Sequence, residues 1–243
     1  MRSTTPPNKS QGEERRREIL HQAIDVFGEA GYGGARIDEV ARRVGIRRPS
    51  ILYHFADKQS LYEAAVANIV SDIVERVMAT EKDCPDRLEA IADAWIDFVI
   101  ARPNAARVLL RQMIDENPIP IRNVQSAVQK LLSSIQAAID ERVGLEHHKS
   151  ADATEFAMVL SSASLVWVAS HHAVEGALGL DTLSPQSIQR HRRMLHALTK
   201  QLLAASAEAD EIDAAKTKRS SVTATTSTKA TTARDTGKAG RNP

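Results

Sequence analysis

The sequence predicts an all-helical protein, on three observations. Apolar residues recur at spacings of three and four through most of the chain, the repeat of a helix face. No run of strict apolar/polar alternation competes with it, and no internal repeat is present. Glycine (11) and proline (9) are few for 243 residues, and aromatics make up only 4%, a composition that favours helix over sheet.

Residues 1–12 are polar and are expected to form a disordered arm. Ser10 with Glu13 reads as a capping box for a first helix, with Leu20, Ala23, Phe27 and Ala30 on one face and an end at Gly31. A short second helix has Ile37, Val40, Ala41 and Val44 as its apolar face and Asp38-Glu39 in its first turn. Gly45 supplies the permissive backbone of a tight turn, and Ile46 follows as a buried hinge. The third helix is expected from about Arg48 to Phe55, with Pro49 in its first turn, where a missing N–H costs little. Ile51, Leu52 and Phe55 are assigned to its core side, and Arg47, Arg48, Ser50, Tyr53 and His54 to the outside. A short helix with basic and hydrogen-bonding groups near its N-terminus suits the DNA major groove.

A long fourth helix starts near Lys58, with Leu61, Ala65, Ile69, Ile73 and Val77 recurring every fourth residue until Asp83-Cys84-Pro85. Leu88, Ile91, Trp95 and Phe98 mark the next, ended near Pro103, and Asn104 is placed as the cap of a helix running to Met113. After Pro118 and Pro120, Val124, Val128, Leu131, Ile135 and Ile139 define a further helix, closed by Gly144. One long apolar helix is expected over 152–178. Ser184-Pro185 gives cap and first-turn signals for the last helix, with Ile188, His191, Leu195, Leu198 and Leu202 as its stripe. From about residue 207 the composition turns acidic, then to Thr, Ser, Ala, Lys and Arg, and is expected to be a disordered basic tail.

The spaced residues Phe27, Gly31-Tyr32, IDEVA, Gly45-Ile46, Tyr53-His54-Phe55, Lys58 and Leu61 resemble the N-terminal module of TetR-type transcriptional regulators. The resemblance covers about a fifth of the chain, and its strength is that several motifs agree in order and position. It implies a helix-turn-helix DNA-binding domain over 13–58, followed by a helical effector-binding and dimerisation domain over 59–206. The family places Ser or Thr at the start of both short helices, whereas this chain has Arg36 and Arg47. Arginine cannot accept the capping hydrogen bond, but it can fork onto phosphate or guanine. Leu52 stands where many members carry tyrosine, so phosphate contact rests on Tyr53. The expected DNA contacts are therefore Arg36, Arg47, Arg48, Ser50, Tyr53, His54 and Lys58. In this set Arg48 or His54 reads base edges, and Tyr53 and Lys58 hold phosphates.

Net charge is +1, so the chain is no general coat for nucleic acid, and its basic groups act locally. Cys84 is the single cysteine, which leaves no intramolecular disulfide and suits the cytoplasm. Residues 1–17 lack a signal-peptide core, and the uncharged stretch 156–174 carries serines and histidines that lipid would penalise, so no membrane partner is expected. No phosphate loop, HExxH or GxSxG is present, and no enzyme chemistry or cofactor is expected. Of the paired histidines, His147-His148 reads as loop surface. Adjacent helical residues lie about 100° apart and rarely ligate one ion without a third group, so no metal is expected at His171-His172 either.

Trp95, Phe98, Met113, Phe156, Trp167 and His171 are the bulky or adaptable residues on inner faces, and are the candidate lining of an effector pocket. The resulting expectation is a homodimeric, ligand-responsive repressor on a near-palindromic double-stranded DNA operator, released by a small apolar effector. An architectural DNA protein of the same fold without an effector, and an all-helical enzyme, are the alternatives.

Overall fold

The structure, a computed structural model, describes residues 9–80, 84, 86–116, 118–121, 124–143, 152–204 and 212. The expected arm before residue 9, Gly144, His147-His148 and nearly all of the tail lie outside the described residues. Among the described residues the structure is helical with no strand. The helices are α1 (Lys9–Gly34), α2 (Ile37–Val44), α3 (Arg48–His54), α4 (Lys58–Met78), α5 (Arg87–Ala101), α6 (Pro103–Ile114), α7 (Gln125–Val143), α8 (Ala153–Ala169), α9 (His171–Leu178) and α10 (185–204).

The first helix begins at Lys9, before the expected cap at Ser10, and runs past Gly31, where the backbone breaks at φ 68°, ψ 171°. Its buried face holds Ile19, Leu20, Ala23, Ile24, Val26 and Phe27, whereas Ala30, one residue before the break, is exposed. The α2 face is as expected: Ile37, Val40, Ala41 and Val44 are all buried. Gly45 takes the left-handed conformation (φ 72°), and the Ile46 N–H donates to Ala41 O at 2.9 Å, closing the turn. Ile46 is half-buried rather than buried. In α3 the core side is Ile51, followed by Phe55 just past its end. Leu52, assigned to the core from sequence, is 37% exposed, because it lies about 100° round the helix from Ile51.

The five predicted residues of α4 are buried, and the helix is started by a capping box in which Asp57 and Ser60 satisfy each other's backbone N–H. Leu88, Ile91, Trp95 and Phe98 of α5 are buried as expected. Asn104 does not cap α6. Pro103 occupies the first turn and Asn104 Nδ2 donates to Asp25 on α1 at 3.0 Å. In α7, Ile135 and Ile139 are buried, but Val128 is exposed. The expected helix over 152–178 is two helices, α8 and α9, meeting at Ser170 with a 58° bend. Ser170 Oγ donates to Val166 O at 2.6 Å, a back-bond that bends helices. No single helix among the described residues is long and apolar enough to cross a membrane, although this bent pair would pass on length and composition together.

Helix α1 packs on α2, α4 and α6, and so joins the N-terminal head to the body. The body is α4–α8, with α6 and α7 against α8. The last helix is held to α5 by Arg192 with Asp93 and Asp97, His196 with Asp93, and Lys200 with Glu89. It meets α8 through Trp167, whose ring stacks on His191 at 4.4 Å. The α10 stripe is split. Leu195 is fully buried within the monomer, while Leu198 is 42% exposed and Met194 is also exposed.

At the α1–α6 crossing a Cβ on Gly28 would lie 2.6 Å from Asn104 Cβ and O. Backbone cannot swing aside as a long side chain can. Gly28→Ala is therefore expected to destabilise the fold by about 1–3 kcal/mol through overpacking, read as a lower Tm. An unchanged Tm would mean that the helices separate freely.

Candidate functional site

The head presents α3 to solvent on a scaffold fixed by charge. Arg43 donates to Glu29 of α1 at 2.9 and 2.6 Å and to Glu39 at 2.8 Å, and Arg42 donates twice to Glu39. These arginines hold the Glu39 carboxyl down to about 2. Arg42 and Arg43 are thus engaged inside the head. Arg36 and Arg47, each just before its helix, are exposed, make no side-chain cap bond, and have no ion pair among the described residues. That leaves both guanidinium groups available to an external anion.

Arg48 is exposed and reaches Asp38 at 3.2 Å, a surface pair that contributes little. Ser50 is exposed, and Tyr53 is 86% exposed, with the half-buried His54 ring edge-on at 5.3 Å. Nothing in the packing of the monomer accounts for an aromatic left this open on α3. Lys58 differs from the rest. Its ammonium donates to Gly33 O at 3.2 Å and lies 4.7 Å from the Tyr32 ring centre, so in the free protein it ties α4 to the end of α1.

A further wall of mixed charge lies beside α3. The N-terminal half of α1 and α3 bound an open groove of about 1600 Å³, where Glu13, Glu14 and Glu18 flank Arg15, Arg16 and Arg17 on the α1 side and Tyr53 and His54 stand on the α3 side. Arg16 lies over the Phe55 ring at 5.1 Å and Arg15 pairs with Glu18. The Arg15–Arg17 run, on a helix already expected from Ser10, is the sequence signal that marks this wall.

The six candidate pocket residues stand in different settings. Phe98 and Phe156 are fully buried core, and Trp95 stacks on Phe98 at 6.3 Å. Met113 is exposed in the last turn of α6, whose buried residues Ala105, Ala106 and Val108 lie in its first half. Trp167 donates to Thr182 O at 3.1 Å, and His171 Nδ1 stands 3.9 Å from Asp181 Oδ1. A cavity of about 460 Å³ lies instead at the head–body junction, lined by Phe27, Tyr32, Tyr62, Arg111, Gln112 and Ile119 among others, and by none of the six. The interior does hold unsatisfied polar atoms: Trp95 Nε1, Thr182 Oγ1 and both ring nitrogens of His191 are buried without partners. Burial pushes the His191 pKa below its ordinary value.

Comparison with known proteins agrees with this geometry. The domain family described as bacterial regulatory proteins, tetR family, matches residues 19–65, from the middle of α1 into α4. The transcriptional activator FasR of Mycolicibacterium smegmatis is 30% identical over 146 residues, 59% of this chain and 67% of FasR. The chain spans 59% and 44% of two other regulators that it matches. A tetR-family regulator from Streptomyces coelicolor superposes with a TM-score of 0.60 at 23% identity, covering 85% of this chain and 88% of that one. FadR of Bacillus subtilis, solved with stearoyl-CoA, superposes at 0.56 with 14% identity, covering 79% and 97%. With the helix-turn-helix, the exposed α3 and the helical body in place, the chain belongs to the TetR family of bacterial transcriptional regulators.

Proposed function

We propose that the protein is a cytoplasmic, ligand-responsive regulator that binds a near-palindromic operator as a homodimer and is released from it by a small, largely apolar effector. The observation that carries this reading is the open face of α3, with Arg47 and Tyr53 exposed and unengaged on a rigid head. Two such heads related by a twofold axis suit successive major grooves about 34–36 Å apart. The base and phosphate roles proposed for Arg47, Arg48, Ser50, Tyr53 and His54 follow from their place on or just before α3, and that of Arg36 from its exposed position just before α2. Lys58 joins them only if DNA draws it from Gly33.

Support for an effector comes from the partnerless Trp95 Nε1 and His191 nitrogens, since orphaned buried polar atoms call for a ligand or water. The acyl-CoA bound by FadR is the first probe to try. The effector would favour a body conformation in which the heads no longer match the operator. A bound dimer blocks transcription where the operator overlaps a promoter and activates it where the site lies upstream. The fully packed Phe98 and Phe156 favour the second reading, the same scaffold without an effector.

Selection from random DNA, followed by titration of the selected site with and without stearoyl-CoA, separates the two. A palindrome released at least tenfold by the acyl ligand is the expected result. A palindrome indifferent to a panel of apolar ligands would leave the regulator without its effector, and no enriched sequence would sink the DNA reading.

A further inference from the structure

The bend at Ser170 has a chemical by-product. It starts α9 with His171 and His172 and brings their rings to 4.3 Å between centres, tilted by 45°. Glu175, one turn on, completes a group whose three ligand atoms all lie within 4.8 Å of one another. This is the third donor that the histidine pair lacks when it is read from sequence alone. A second observation points the same way. His171 Nδ1 is buried and has no hydrogen-bond partner, and the nearest carboxylate is Asp181, at 3.9 Å. That carboxylate is itself held in place, its Oδ1 accepting the Leu183 N–H at 2.8 Å.

We propose that His171, His172 and Glu175 form a binding site for a divalent transition-metal ion of the zinc class, with Asp181 as the carboxylate that orients the His171 ring. Two imidazole nitrogens and one carboxylate oxygen are a donor set that zinc accepts, with a fourth position left for water. Donors about 2.1 Å from a tetrahedral ion stand about 3.4 Å apart, so the present cluster needs only side-chain rotation to close. Metal-bound imidazoles usually donate their other N–H to a carboxylate, and Asp181 is placed for that role once the ring turns. His172 and Glu175 are exposed, which gives the ion a path in and makes the site exchangeable. Bound metal would pin the first turn of α9 to the loop that carries Asp181, beside the Trp167–His191 stack.

The test uses the full chain after chelator treatment, titrated with Co²⁺ as a visible probe and then with Zn²⁺ in competition. One saturable ion per chain is expected, with His172→Ala and Glu175→Gln each weakening binding at least tenfold while the circular dichroism stays unchanged. Replacing both His147 and His148 by Ala should leave binding as it was. The proposal fails if no saturable binding is seen, if binding survives both His172→Ala and Glu175→Gln, or if it disappears with the 147/148 pair.

Discussion

Tyr53→Ala is expected to weaken operator binding by two or more orders of magnitude while leaving Tm within about 1 °C. The ring is almost wholly exposed, so folding loses little when it goes; surface substitutions away from special features change stability by about 0.5 kcal/mol or less. On DNA the phenol would donate to a phosphate oxygen. A hydrogen bond to a charged group contributes about 1.5–3 kcal/mol, and a dimer makes the contact twice. Tyr53→Phe removes only the hydroxyl and should reproduce most of the loss. Because the phenol is neutral, the dependence of affinity on salt should not change, whereas Arg47→Ala should lower the salt slope by about one unit per head. Anisotropy titrations at several salt concentrations measure both quantities. Wild-type affinity in both Tyr53 variants would mean that α3 does not dock by this face.

Val166→Glu combined with Leu198→Glu is expected to give a folded monomer whose operator affinity falls by orders of magnitude. Val166 on α8 and Met194 and Leu198 on α10 are exposed apolar side chains, and the Trp167–His191 stack joins the two helices. A second copy covering Val166 and Leu198 would desolvate each introduced carboxylate without a partner, at a cost of several kcal/mol. Loss of the dimer also removes the effective concentration that one bound head gives the other. Leu195→Glu, three residues away, should behave differently. Leu195 is wholly enclosed by its own monomer, so a charge there unfolds the chain. Light scattering and circular dichroism separate the outcomes. A dimeric double variant would move the interface elsewhere, and a folded Leu195→Glu protein would contradict the packing of α10.

Leu195 and Leu198 also mark the limit of what the sequence discloses. A stripe at spacings of three and four announces a helix and an apolar side, because that repeat follows from helical geometry alone. It does not say how much of that side faces the chain's own core. The division is made by Asp93 and Asp97 on α5, which anchor Arg192 and set the rotation of α10. The break at Ser170 was hidden for a related reason: α8 and α9 are both apolar, so the pattern continues while a hydroxyl back-bond bends the backbone. In the head the signals for α2 and its turn were local. Gly45 marked its turn, and the α2 face was legible residue by residue. The proposed DNA contacts rest on residue chemistry, and the sequence does not disclose which side chains are already in use: Arg42, Arg43 and Lys58 are indistinguishable from Arg47 until their carboxylate and carbonyl partners are placed. The candidate pocket residues are ambiguous from sequence for another reason: a large apolar residue on an inner face fills space as readily as it bounds it.

Arg111 has a consequence for how the molecule comes apart. The backbone of α1 breaks at Gly31. Arg111, from α6, donates to two carbonyls just before the break, Phe27 O at 3.0 Å and Gly28 O at 2.7 Å. The first helix of the head is therefore finished by a side chain of the body. Excised, the head would fray from that end, and when α6 melts it would take the cap with it. The two parts are therefore expected to melt together, and disturbance of the body to reach the head as a change in its stability as well as in its position.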